Sequence, residues 1–431
     1  GRTIQAGGAW VFHNEIDTIT GTFHNGDVVQ VQDFDGYPMG VGFINQNSKI
    51  RVRMLSRNAG QEINRGFWTK KVQNAWDYRK AVMGRDLNCF RLIFGEADFF
   101  PGLTVDKYKD VLVVECLALG MEAFKGEILE ILRQTLEADG EPVRLIYERS
   151  DAREREKEGL PKYKGVLWSS DEALSARIGE NDMALRPEEG KALVPEVEIV
   201  ENGVHYLIDV VNGQKTGFFL DQKYNRLAMQ RITENLAYSM KEDTTIKVLD
   251  CFTHMGTFAL NCGLGASRGN VNVEVTGLDI SAYAVEQATE NAIRNGLEDM
   301  VKFRCVNVLD ELPKLATEGA LYDVLILDPP AFTKSREATK NAIKGYREIN
   351  MKGLKLVKDG GYFATCSCSH FMTAELLEKT VKEAAKATHK RLRQIEFRTQ
   401  GPDHPILWAN STNVPESYYL KFFIFQVCEE K

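Results

Sequence analysis

The sequence predicts an α/β protein: a doubly wound, mostly parallel sheet in its C-terminal part, a small β-barrel at the N-terminus, and a short α+β segment between them. Two patterns predict it. From about residue 247 apolar strand-like runs at 246–249, 273–278, 301–305, 324–327, 361–365 and 419–425 alternate with helical stretches, and alternation on that scale builds parallel strands with helices on both faces. Ahead of it, short alternating runs at 9–12, 26–31, 39–44 and 50–55 lie between Gly-Asp and Asp-Gly turn signals, the pattern of a small barrel.

The remaining elements follow in chain order. A helical stretch at 66–83 leads out of the barrel. Residues 90–94, 103–105, 111–117 and 144–148 read as strands, and 124–136 has helical periodicity. The run 150–164, dense in alternating charge, reads as a loop or a solvated helix. Two apolar runs, 197–200 and 204–210, split by Glu201-Asn202-Gly203, form a hairpin. A chain of 431 residues exceeds one compact core, and the boundaries expected are 1–72, 73–192 and 193–431.

Composition narrows the function classes. Hydrophobic content of 43% and charged content of 27% are those of an ordinary soluble protein. No run approaches ~20 apolar residues, and no secretion signal is visible. The eight cysteines are scattered, without a Cys-x-x-Cys pair or His at metal spacing, so no metal site is expected and a reducing, cytoplasmic setting is. The net charge of −7 gives no global basic excess, so RNA binding cannot be argued from charge. Local clusters at 49–53 with Arg57 and at 65–80 read equally well as solvated faces.

Ligands collect beyond the carboxyl ends of parallel strands, and three such ends carry suitable residues. Val248-Leu249-Asp250 closes one strand and leads through Cys251-Phe252-Thr253-His254-Met255 to Gly256, which lets the backbone approach a ligand at a helix N-terminus. Asp279 closes the next strand, where a carboxylate suits a ribose diol. Asn307-Val308 follows the third, where an amide suits an adenine edge. The phosphate fingerprint of dinucleotide sites is absent, so a nucleoside without a pyrophosphate fits best. At the fourth strand end, Asp328-Pro329-Pro330-Ala331-Phe332 forms a rigid turn behind a carboxylate. At the fifth, Thr365-Cys366-Ser367-Cys368-Ser369-His370 offers two thiols on one face, with Cys368 nearer the rim and better placed as a nucleophile.

These residues resemble the large-subunit ribosomal RNA 5-methylcytosine methyltransferase I family. The resemblance rests on Val248-Leu249-Asp250-Cys251-Phe252, Asp279, Asp328-Pro329-Pro330-Ala331-Phe332 and Ser367-Cys368-Ser369. It extends over Pro101-Gly102-Leu103-Thr104-Val105-Asp106, Glu148-Arg149-Ser150-Asp151, Thr216-Gly217-Phe218-Phe219-Leu220-Asp221-Gln222, Gly345-Tyr346 and Asp403-His404-Pro405.

It implies a PUA RNA-binding barrel, a small α+β central domain and a C-terminal Rossmann-like class I methyltransferase. It also implies a homodimer and a 23S rRNA target. The implied cofactor is S-adenosylmethionine (SAM), lined by Gln222, Asp250, Phe252, Gly256, Asp279, Asn307, Val308 and Asp328. Catalysis would rest on Cys368, adding to C6 of cytosine, and on Asp328. The sequence departs from relatives at Asn307, where many have Asp, and at Ala331, where two-cysteine RNA methyltransferases have Cys; Cys366 is an extra thiol. Rival readings are a guanine N-methyltransferase, which needs no thiol, and a non-catalytic RNA-binding protein.

Overall fold

The structure, a computed structural model, describes residues 2–186, 189, 194, 196–332, 338–409 and 415–429. The boundary expected between residues 192 and 193 lies outside these described residues. Two compact units result: residues 1–199, 208–221 and 402–417 in one, and 200–207, 222–401 and 418–431 in the other.

The first unit holds two sheets. Strands β1 (Trp10–Phe12), β2 (Val28–Gln32), β3 (Pro38–Ile44) and β4 (Ile50–Ser56) form an antiparallel sheet in the order β1-β4-β3-β2. Its buried side chains Ile4, Val11, Met39, Ile44, Val52 and Met54 make a small core of their own. A second sheet, β5 (Cys89–Phe94), β6 (Leu103–Tyr108), β7 (Val111–Cys116), β8 (Leu145–Ser150) and β9 (Tyr163–Ser169), runs in chain order, with only β7 and β8 parallel. The α+β character expected of the middle segment is therefore present. The charge-dense run 150–164 contains a short helix, Arg153–Lys157, and the first residues of β9.

Aromatic packing ties this unit together. Phe124, on the helix Leu119–Ala138, stacks on Phe43 of β3 at 5.7 Å and meets Trp68 of the helix Arg65–Met83 at 5.4 Å. Gly120 makes the close approach possible, since a Cβ there would lie 2.2 Å from Phe43 Cγ.

Two basic residues from the expected clusters are internal rather than solvated. Arg53 bridges Glu96 at 2.9 Å and Glu158 at 3.0 Å. Arg79, fully buried, pairs bidentately with Asp98 and donates to the Asp403 carbonyl. The Asp403-His404-Pro405 motif thus lies in this first unit, with both Asp403 and His404 buried.

The second unit is one seven-stranded sheet: β12 (Thr245–Cys251), β13 (Asn272–Asp279), β14 (Val301–Cys305), β15 (Tyr322–Leu327), β16 (Val357–Ser367), β17 (Lys390–Arg398) and β18 (Lys421–Glu429), preceded in the chain by the hairpin β10 (Val197–Glu201) and β11 (Val204–Ile208). The order is β14-β13-β12-β15-β16-β18-β17. The first five are parallel, and β18 enters antiparallel between β16 and β17. The central strands are apolar on both faces, with Val248, Leu249, Leu325, Ile326, Phe363 and Ala364 all fully buried, as a sheet covered by helices on both sides requires.

Candidate active site

The strand order reverses between β12 and β15, and open α/β sheets bind ligands at that crevice. Asp250, Asp279 and Asp328 stand at the carboxyl ends of β12, β13 and β15, so the topology gathers three carboxylates there. Asp250 is fully buried. Its Oδ2 accepts from the Thr253 hydroxyl and from the Ala259 amide, while its Oδ1 is buried with no partner among the described residues. Burial pushes this carboxyl up to about 7, with the charges of Asp328 and Asp279 adding to the rise and the two hydrogen bonds opposing it.

The chain then turns sharply. Phe252, His254 and Gly256 all have positive φ, at 67°, 52° and 84°. Left-handed backbone at non-glycine residues costs about 1–3 kcal/mol each and collects at ligand sites. Here it swings the Thr253 amide onto the Leu278 carbonyl and the His254 amide onto Asp279 Oδ2, each at 2.9 Å. Gly256 is the residue this turn demands twice over, by its φ and because a Cβ would lie 2.7 Å from the Phe303 ring. It starts the helix Thr257–Ala266, whose N-terminus carries a positive field.

Asp279 accepts from His254 N on one oxygen and from Ser281 N on the other. Each oxygen keeps a further lone pair, enough for a diol. Asn307 caps the helix Val308–Thr317: its Oδ1 accepts from the Leu309 amide and its Nδ2 donates to Asp310. The amide oxygen expected to meet adenine is thus already engaged as a helix cap. Val308 points its side chain into the apolar core, 2% exposed, and Phe252 packs against the same cluster. Only the Val308 backbone is left to face a ligand.

These features fit SAM. An ammonium and a sulfonium against one carboxylate give that molecule a net positive charge, which relieves three clustered carboxylates, and the unpartnered Asp250 Oδ1 is a ready acceptor.

At the chemical end the parallel register decides which thiol meets which acid. Leu327 of β15 pairs with Thr365 of β16, so the next residues, Asp328 and Cys366, are level. The Cys366 thiol donates to Asp328 Oδ1 at 2.9 Å. Burial first, then the Asp328 charge, drives this thiol well above its ordinary value, and it stays protonated. Cys368, expected to be the partner of the Asp-Pro-Pro turn, stands beyond the last residue of β16, Ser367, and is half-buried.

Gln222 is committed to the same pair. Its amide donates to Asp328 Oδ2 at 3.3 Å and to Cys366 Sγ at 3.6 Å, and its carbonyl accepts from Asn225, which in turn accepts from Arg398. The geometry makes Gln222 a brace for Asp328, a role that the sequence, expecting a cofactor contact, does not announce. Phe332 packs edge-on against Tyr346 at 4.7 Å, and the Tyr346 hydroxyl accepts from Ser367 at 2.8 Å, anchoring both loops to one residue.

Known proteins place this architecture. Residues 1–57 match the PUA-like domain family and residues 242–414 a methyltransferase domain family. The chain is 34% identical over 420 residues to the ribosomal RNA large subunit methyltransferase I of Pseudoalteromonas translucida, covering 97% of this chain and 95% of that protein. To that of Shewanella denitrificans it is 33% identical over 429 residues, covering 99% and 97%. A solved structure described as a SAM-dependent methyltransferase from Streptococcus mutans matches at a TM-score of 0.73 and 19% identity, over 99% of this chain and 97% of its own; that likeness shows a shared fold. The expected fold class and the SAM cofactor both stand, and with one third of residues identical over nearly the full length of these relatives the chain belongs to the ribosomal RNA large subunit methyltransferase I family.

Proposed function

We propose that this methyltransferase forms 5-methylcytosine in 23S ribosomal RNA, through a covalent adduct between Cys368 and C6 of the target base. The observation that carries the reading is the division of labour between two thiols. Cys366 is sealed, protonated and spent on Asp328, whereas Cys368 is half-buried just past the same strand end. Methylating a ring nitrogen needs no thiol. Methylating C5 does, because that carbon is a poor nucleophile until a thiolate has added at C6.

SAM, when bound, supplies an electrophilic methyl group. The residues that would hold it are Asp250 and Asp279, with the turn 252–256 and the helix start at Asn307. The Cys368 thiolate forms the S–C6 bond and the electron pair moves to C5. After C5 is methylated its proton is lost to a base, the pair re-forms the ring double bond, and the S–C6 bond breaks to return the thiolate. Asp328, oriented by Cys366 and Gln222, would hydrogen-bond the base edge as charge develops. Extruding the base costs about a few kcal/mol unless the RNA is already unpaired. In this reading residues 1–72 dock RNA, 73–192 link, and 193–431 carry the chemistry, with the protein acting as a homodimer in the cytoplasm.

The test is RNA in which the target cytosine carries fluorine at C5, which cannot lose a proton. The wild-type protein should be trapped covalently and Cys368→Ser should not, while calorimetry finds SAM binding unchanged. Nucleoside mass spectrometry showing methylguanine in place of 5-methylcytosine would overturn the reading.

A further inference from the structure

The turn that carries Cys368 is strapped by the first residue of β18. Lys421 pairs in register with Ser367, the last residue of β16. Its side chain is fully buried, and its ammonium reaches over the strand end to donate to the Ser369 carbonyl at 2.7 Å and to the Tyr419 carbonyl at 3.2 Å. The ring of Tyr418 lies 5.0 Å away. Among the described residues no carboxylate forms an ion pair with it. A buried cation held only by carbonyl dipoles is costly and normally comes with a counter-anion. Ser369, whose carbonyl it holds, directly follows Cys368 in the chain, and the ionised form of that thiol acts on the ammonium electrostatically.

We propose that Lys421 is the positioning residue that holds Cys368 as its thiolate, acting as the counter-ion of the nucleophile. The proposal rests on the role assigned to Cys368 above. Thiols become reactive when a neighbouring cation lowers their pKa, and a lysine fixed by two carbonyls cannot swing away from the sulfur it serves.

The other groups facing this turn either disfavour the thiolate or are tied elsewhere. Asp328 carries a charge of the wrong sign. The Cys366 thiol and the Tyr346 phenol are both held in their neutral forms by burial. His370 sets Nδ1 3.2 Å from the Tyr418 carbonyl. Glu375 acts on Lys421 and stabilises its charge. Burial outweighs both anions and lowers the Lys421 ammonium to about 8, so at neutral pH it is still charged.

The experiment follows alkylation of Cys368 by iodoacetamide against pH, read by peptide mass spectrometry on the intact protein without RNA or SAM. In wild type the midpoint should fall below the ordinary thiol value of about 8.5. Lys421→Met should move it up by about one unit, a roughly tenfold slower reaction at pH 7, and Lys421→Arg should restore most of the shift. Superimposable profiles for wild type and Lys421→Met would overturn the proposal.

Should Lys421→Met fail to fold, Cys368→Ser provides the reciprocal arm. With the thiolate gone, the Lys421 titration, followed by NMR after reductive methylation, should drop below its wild-type value; an unmoved titration overturns the proposal as surely. Both readouts are independent of methyl transfer. A shifted Cys368 profile together with no covalent RNA complex would therefore condemn the C5 mechanism while leaving the ion pair standing.

Discussion

Cys366 and Asp328 come from adjacent parallel strands 38 residues apart, and the thiol donates to the carboxylate at 2.9 Å. One cysteine is thereby converted from a candidate nucleophile into a support for the acid. With Gln222 on the other oxygen, the Asp328 side chain is held from two sides before any substrate arrives.

The Cys366→Ala variant should therefore lose the donor and leave a small void. Losing a hydrogen bond to a charged group costs about 1.5–3 kcal/mol, so thermal unfolding should come several degrees lower. Turnover should fall more than tenfold, because Asp328 loses one of the two donors that orient it, while Cys366→Ser, which keeps a donor, retains most activity. Differential scanning calorimetry and single-turnover kinetics read the two effects. Equal stability and rate for the alanine variant would leave the contact without a role.

SAM affinity should depend on pH through Asp250. Its carboxyl is raised above the ordinary 3.8 to about 7, by burial first. The stability it contributes is complete below 3.8 and lost as pH rises through about 7. A cationic ligand favours the ionised form, so binding should expel a proton below pH 7. Affinity should rise with pH, by up to about tenfold per unit, and level off above 7. Titration calorimetry in buffers of different ionisation enthalpy would count the proton. A flat profile from pH 5.5 to 8, or one unchanged in Asp250→Asn, would remove Asp250 from the cofactor site.

Arg53 should prove structural although it sits in a basic run. Its guanidinium joins Glu96 and Glu158, and its side chain is only 13% exposed. Removing it strands two acids, Glu158 nearly buried, at a cost of about 3 kcal/mol. Arg53→Ala should accordingly shift the urea midpoint strongly. Alanine at the neighbouring Lys49 or Arg57 should barely move the midpoint and, if the barrel docks RNA, should reduce the salt dependence of RNA binding by about one charge each. A stable Arg53→Ala protein would contradict the assignment.

Much of the fold was legible because burial imposes period. Strands covered on both faces are largely apolar, and every inner strand of the large sheet, β12, β13, β15, β16 and β18, lies where an apolar run marks it. β17 escapes that logic. Its sequence, Lys390–Arg398, sits at the sheet edge with Arg391, Arg393, Gln394, Ile395 and Phe397 all exposed, so no apolar period forms. β9 is masked in the same way by the charged run before it. Arg53 and Arg79 read as solvated charge because their acidic partners lie 19 to 105 residues away in the chain.

The amino-acid sequence by itself determined the layers, the three carboxylates at strand ends and the two thiols at the end of the fifth strand. Each is a local matter of which residue follows which apolar run. Tertiary structure alone decided that the Cys366 thiol donates to Asp328, that Gln222 braces that pair, and that Lys421 reaches the turn after β16. Those outcomes depend on strand register and on an antiparallel strand inserted from the far end of the chain. A shift of one residue in either ladder would exchange the partners without changing a single apolar run.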